Sequence, residues 1–168
     1  MARPNHIDVR QRSEIVRAGA RVRGFTLIEA VVVMSIVAIM VGLAGPYLRD
    51  LVLAQRVKNA SFDVFSTITY ARSEAISRNA AVTITSASGT NWADGWSVTD
   101  ASGNTLRTQN AVANVTITGP GTVVYNAMGR VSATVTISLT GTGVLVANSR
   151  CINVDPSGRP RVASGSCS

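Results

Sequence analysis

From Phe25 to Gly45 the chain is almost unbroken hydrocarbon, and the single charge in it is Glu29. At a helical rise of about 1.5 Å per residue, such a run reaches across the roughly 30 Å core of a bilayer. The run is apolar on all sides, which also fits a helix buried inside a protein, but a chain of 168 residues has little interior with which to surround one. We therefore read a single membrane span. A carboxylate near hydrocarbon costs about 2.5–3.5 kcal/mol even on lenient insertion scales. Glu29 must either snorkel to the nearby headgroups or meet a positive partner.

The flanks give the span a direction. Met1 to Gly24 holds Arg3, Arg10, Arg12, Arg17, Arg21 and Arg23 against Asp8 and Glu14, a balance of +4 out of the formal +7 of the whole chain. A basic flank stays cytoplasmic and sends the C-terminal part across the inner membrane. This segment has neither an apolar core of its own nor a small-residue signal-peptidase site, so it is not an ordinary secretory signal. The only histidine, His6, lies in it.

Gly24-Phe25-Thr26-Leu27-Ile28-Glu29 resembles the processing site of type IV prepilins and pseudopilins. The resemblance implies a leader of residues 1–24 removed by a prepilin peptidase between Gly24 and Phe25, and methylation of the new N-terminal Phe25. It also implies that Glu29 pairs with the N-terminal amine of a neighbouring subunit during assembly with other pilins, which supplies the missing partner.

Beyond the span (25–45), Pro46 is expected to kink the helix or stop it at Gly45, since it lacks an N–H and its ring clashes with the preceding turn. Helical patterning resumes at once: Val57, Ser61, Val64, Ile68, Ala71 and Ala75 recur at steps of four and three and line one face. That amphipathic stretch covers 46–79. At Asn79-Ala80 the period changes to short β-rich runs, at 81–85, 95–99, 112–118, 122–125, 133–139 and 143–154, with turns at 88–91 and 100–104. One long helix followed by many short strands describes an α+β fold with an antiparallel sheet, the head occupying 80–168.

The stretch Tyr70 to Asn79 leading into Val82-Thr83-Ile84, and Trp92-Ala93-Asp94-Gly95-Trp96 before Asp100, resemble the helix-to-strand junction and next hairpin of the GspH/FimT group of minor pilins and pseudopilins. Trp92 and Trp96 admit two readings, core packing or stacking on bases, and we take packing. Cys151 and Cys167 are the only cysteines, and outside the cytoplasm an even pair most simply forms a disulfide. Free thiols or a metal site are the alternatives; after cleavage the chain has no His or further Cys to complete a zinc shell, and no cofactor is expected.

From Ala101 onward five arginines (107, 130, 150, 159, 161) face one acid, Asp155. Asp155-Pro156-Ser157-Gly158 has turn chemistry. Arg159 and Arg161 sit two apart in an extended segment and are expected to project from one face, with Pro160 confining the segment to a sheet edge. Two guanidinium groups so placed make a phosphate clamp, which Arg130 or Arg150 can extend. The alternative is that two edge arginines merely block aggregation. Gly158-Arg159-Pro160-Arg161 also resembles the G-R-x-R element near the C-terminus of FimT-type minor pilins, a group linked to DNA capture in natural transformation. That implies contact of Arg159 and Arg161 with double-stranded DNA, without base reading. After cleavage the chain has no His and one Lys, and with no G-x-S-x-G or phosphate-loop motif an enzyme is not expected. A purely structural minor pilin and a type II secretion pseudopilin are the other readings. All three place the protein in the inner membrane with a periplasmic head, and then in a fibre.

Overall fold

The computed structural model describes residues 24–141 and 148–167, with 43–47 described by backbone alone. The basic leader and residues 143–147, read above as part of the last strand, lie outside the described residues. The chain divides into two compact units, Met1–Met40 and Val41–Ser168.

Helix α1 spans Leu27–Arg78. Thr26 caps its N-terminus, the Oγ1 accepting the Glu29 N–H at 3.2 Å. Thr26 and Glu29 thus hold the first and last places of an S/T-x-x-E capping box. In the first unit the apolar side chains from Leu27 to Met40 are exposed. Among the described residues no helix is long and apolar enough to cross a membrane. The helix does not stop at Gly45, because a proline inside a helix removes a single ladder bond and the turns on either side can carry the rest.

In the second unit Val57, Ser61, Val64, Ile68, Ala71 and Ala75 are all buried, with Ala60 and Thr67 beside them. The helix ends in a Schellman motif: Asn79 adopts φ 49°, the Ala80 N–H reaches the Ala75 carbonyl and the Asn79 N–H that of Ile76, both at 3.2 Å.

Among the described residues eight strands follow: β1 (Val82–Ser88), β2 (Asn91–Asp100), β3 (Thr105–Gln109), β4 (Val115–Thr118), β5 (Thr122–Tyr125), β6 (Val135–Gly141), β7 (Arg150–Val154) and β8 (Pro160–Ser164). They pair in the order β5-β1-β2-β4-β6-β7-β8, with β3 also on β2, and every pairing is antiparallel. Ile84, Val98, Ile117, Ile137, Leu139, Ile152 and Val154 alternate inward from successive strands and join the buried face of α1 in one core. The many hydroxyls lie less in turns than on the sheet's other face, where Thr122, Thr85, Ser97 and Thr108 fall into register across four strands.

Between β2 and β4 the ladder thins to one pair, Asn91 with Thr118. Side chains close that seam. Trp92 is fully buried there and donates its Nε1–H to the Pro120 carbonyl at 2.8 Å. A Cβ on Gly119 would lie 3.2 Å from that indole nitrogen and 2.9 Å from Ile137 Cγ1, so only glycine lets the ring in. Trp96, tilted 42° to Trp92 at 5.6 Å, donates to Thr67 Oγ1 on α1 at 3.1 Å. Both tryptophans are packing residues and neither is available to stack on a base.

Candidate nucleic-acid interface

Three turns of the head share one construction. In Asp100–Asn104, Asn126–Arg130 and Asp155–Arg159, the first residue's N–H donates to the carbonyl of the fifth, and the fourth residue, a glycine at φ 84°, 69° and 80° respectively, donates its N–H to the carbonyl of the first. The leading side chain's Oδ1 accepts the N–H of the fifth residue at 2.9, 3.0 and 3.2 Å. Asx side chains favour this arrangement because they hydrogen-bond their own backbone two to four residues on. In the second and third turns the fifth residue is an arginine, Arg130 and Arg159, and both are exposed.

These two turns are stacked on each other. Gly158 is buried, and a Cβ there would fall 2.0 Å from the Gly129 carbonyl oxygen and 3.0 Å from Tyr125 Cε1. Arg72 on α1 donates its Nε–H to the same Gly129 carbonyl at 3.1 Å, and the Tyr125 hydroxyl donates to the Gly158 carbonyl at 3.3 Å. Burial pushes the Tyr125 phenol up to about 12, so it remains a donor throughout the physiological range. Arg130 and Arg159 therefore leave the surface from adjoining, mutually braced turns.

Arg159 belongs to its turn and not to a strand, since β8 begins at Pro160. Arg161 pairs with Asn153, which Thr136 in turn faces and bonds at 2.9 Å, so by strand alternation it stands on the hydroxyl-bearing face. Arg150 pairs with Ser164, about 10 Å along the strand from Arg161 at a rise of about 3.3 Å per residue, and donates to the Ser149 carbonyl. The structure thus gathers Arg130, Gly158, Arg159 and Arg161 at one corner, and Arg150, farther along the edge, lines an adjoining groove that Arg161 also borders. Cys151 on β7 is disulfide-bonded to Cys167, which ties the end of the chain back beside β8.

Sequence reasoning missed the Asn126–Arg130 turn and its brace, Arg72 and Tyr125. The signal was there: Asn126-Ala127-Met128-Gly129-Arg130 and Asp155-Pro156-Ser157-Gly158-Arg159 repeat an Asx, two residues, a glycine and an arginine. Among the described residues the ion pairs are those of Arg78 with Glu74 and Asp100.

The Ser157 hydroxyl, the Arg159 N–H and the charge of Arg161 hold the Asp155 carboxyl below its ordinary range. A depressed native pKa contributes stability above the ordinary carboxylate range, and the contribution is lost as pH falls through the native value. Asn126 holds the matching turn without titrating. In acid, after correction for intrinsic rates, hydrogen exchange at the Arg159 amide should quicken while that at the Arg130 amide holds; equal responses would show that Asp155's charge does not hold its turn.

A family model described as Type II transport protein GspH matches residues 61–158, and one described as Prokaryotic N-terminal methylation motif matches residues 19–45. A search of curated proteins gives no match. Two crystal structures of the type IV minor pilin FimU of Pseudomonas aeruginosa superpose with a TM-score of 0.56 each. One is 23% identical over 63% of this chain and 91% of that one, and the other 20% identical over 70% and 92%. These likenesses show the fold, that of a type IV pilin: a long N-terminal helix followed by an antiparallel sheet.

Proposed function

The chain belongs to the GspH family, and we propose that within it this protein is a minor pilin that binds double-stranded DNA without sequence preference, for DNA uptake in natural transformation. The observation that carries the proposal is the pair of Gly-Arg turns stacked through Gly129 and Gly158. Together with Arg161 they offer three guanidinium groups on a braced backbone, and phosphate recognition favours planar, bidentate donors held in place. The corner presents turns and guanidinium groups, which suit phosphates, so binding is to the backbone.

Assembly follows from the other end of the chain. Residues 1–24 are a leader cut by a prepilin peptidase after Gly24, leaving Phe25 as a methylated N-terminus, and residues 25–45 anchor the protein in the inner membrane with the head, 80–168, in the periplasm. Glu29 then pairs with the amine of a neighbouring major or minor pilin as the subunit enters the fibre. The N-terminal methylation motif supports this reading.

The test uses the processed full-length protein in neutral detergent, titrated with a duplex of arbitrary sequence. Three phosphate contacts give a slope of about −2.7 in log affinity against log salt, so raising salt from about 50 to about 200 mM should weaken binding by about 40-fold. An Arg159→Gln/Arg161→Gln double substitution should weaken it by at least about tenfold at low salt and flatten the slope to about −0.9. Unchanged binding in the double variant would reject the arginine corner. The description of the family as type II transport proteins favours a second reading, a structural minor pilin or secretion pseudopilin. On that reading the two arginines are dispensable for fibre assembly and Glu29 is not.

A further inference from the structure

Beside the arginine corner, α1 and the β7–β8 edge enclose a groove lined by Lys58, Phe62, Phe65, Arg150, Arg161 and Val162. We infer that this groove binds single-stranded DNA, stacking bases on Phe62 while Lys58 and Arg150 hold the phosphates and Arg161 borders the groove at its rim. The inference rests on the reading of the corner as a DNA site, with which it shares Arg161.

Phe62 is the residue on which the assignment turns. It stands 59% exposed on α1, one helical turn beyond Lys58, so its ring has open solvent over it. Val162, across the groove, is 45% exposed. The lining holds three cations and no carboxylate, so an anionic occupant is selected. An aromatic platform beside a track of cations is the arrangement that binds single strands, because every base has a π-face and every nucleotide a phosphate. A duplex gains nothing from the ring, since its bases are already stacked on one another.

The open edge of β8 adds polar contacts. The Asp155 N–H bonds the Arg159 carbonyl and the Gly165 N–H that of Ser149, which fixes Asn153 with Arg161 and Cys151 with Ala163 as the hydrogen-bonded pairs. Antiparallel pairing alternates, so Val162 and Ser164 turn their main-chain N–H and C=O groups outward. Pro160 falls in the same phase and has no N–H to offer, so its place in the edge costs the ladder no bond. Two outward amides can meet the edge of any base that splays from the ring, which gives contact without a sequence code.

The experiment compares a labelled oligo-dT of about 15 nucleotides with a duplex of about 15 base pairs, on the processed full-length protein in neutral detergent. Phe62 is exposed, so Phe62→Ala should fold as the wild type does, as its melting temperature will report. Loss of one stacked base is worth about 1–3 kcal/mol, so Phe62→Ala should weaken oligo-dT by about tenfold and leave the duplex within about twofold. Phe62→Trp should restore oligo-dT binding, with its indole fluorescence quenched on titration. If the duplex binds and Phe62→Ala leaves oligo-dT unaffected, the groove assignment is overturned and the arginine corner stands. If oligo-dT binds through Phe62 and the duplex does not bind, the groove stands and the duplex reading falls. If neither nucleic acid binds, or if oligo-glutamate displaces oligo-dT at equal charge, the inference is overturned.

Discussion

Gly158→Val should abolish the arginine corner without removing an arginine. A Cβ at this position lies 2.0 Å from a backbone oxygen, and the φ of 80° is one that a β-branched residue strongly resists. Left-handed strain of about 1–3 kcal/mol and overpacking of about 1–3 kcal/mol together put the cost at about 2–6 kcal/mol. For a domain of this size that is a drop in melting temperature of about 10 °C or more. Gly165 makes the control, because its φ is 100° and a Cβ there meets nothing within 4 Å. Gly165→Ala should therefore carry only the backbone strain. If calorimetry finds the two variants equally stable, the stacked turns do not contribute as the geometry requires. DNA affinity should fall with Gly158→Val and hold with Gly165→Ala.

The second large effect is expected at the disulfide. Cys151 and Cys167 are 16 apart in sequence, and closing a loop of about that length is worth about 3 kcal/mol on the chain-entropy account. A Cys151→Ser/Cys167→Ser double variant should melt about 10 °C lower. Since among the described residues β8 pairs with β7 alone, its amides should lose protection first, before those of β6. A uniform loss across the sheet would mean that the bridge stabilises the head as a whole and not its last strand.

What the sequence disclosed depended on whether the signal was local. The buried face of α1 was legible because six residues recur at helical spacing with nothing to confuse them. The helix end was legible because Asn79 is one of the few residues that accepts a left-handed conformation. Strand β3 was not legible: Thr105-Leu106-Arg107-Thr108-Gln109 has one apolar residue and a half-exposed setting. Nor was the order of strands, since β5 lies on β1 and β6 bridges β4 to β7 through contacts that leave no mark on neighbouring residues. At the candidate site the arginines were found by their type and spacing. Their grouping was not, because it depends on Gly129 meeting Gly158 and on Arg72 reaching across from the helix.

The seam at Trp92 bears on how the head would respond to being pulled. Among the described residues, strands β5, β1, β2 and β3 on one side and β4, β6, β7 and β8 on the other share a single ladder pair, Asn91 with Thr118. A load applied across that line meets one ladder rung, the Gly119-to-Thr90 bond, the Trp92 indole and the shared core, whereas a load along β6 and β7 meets five paired residues in shear. The weak direction of the head is therefore set by topology, and a tether attached on the β8 side would first strain the bond from Trp92 to Pro120.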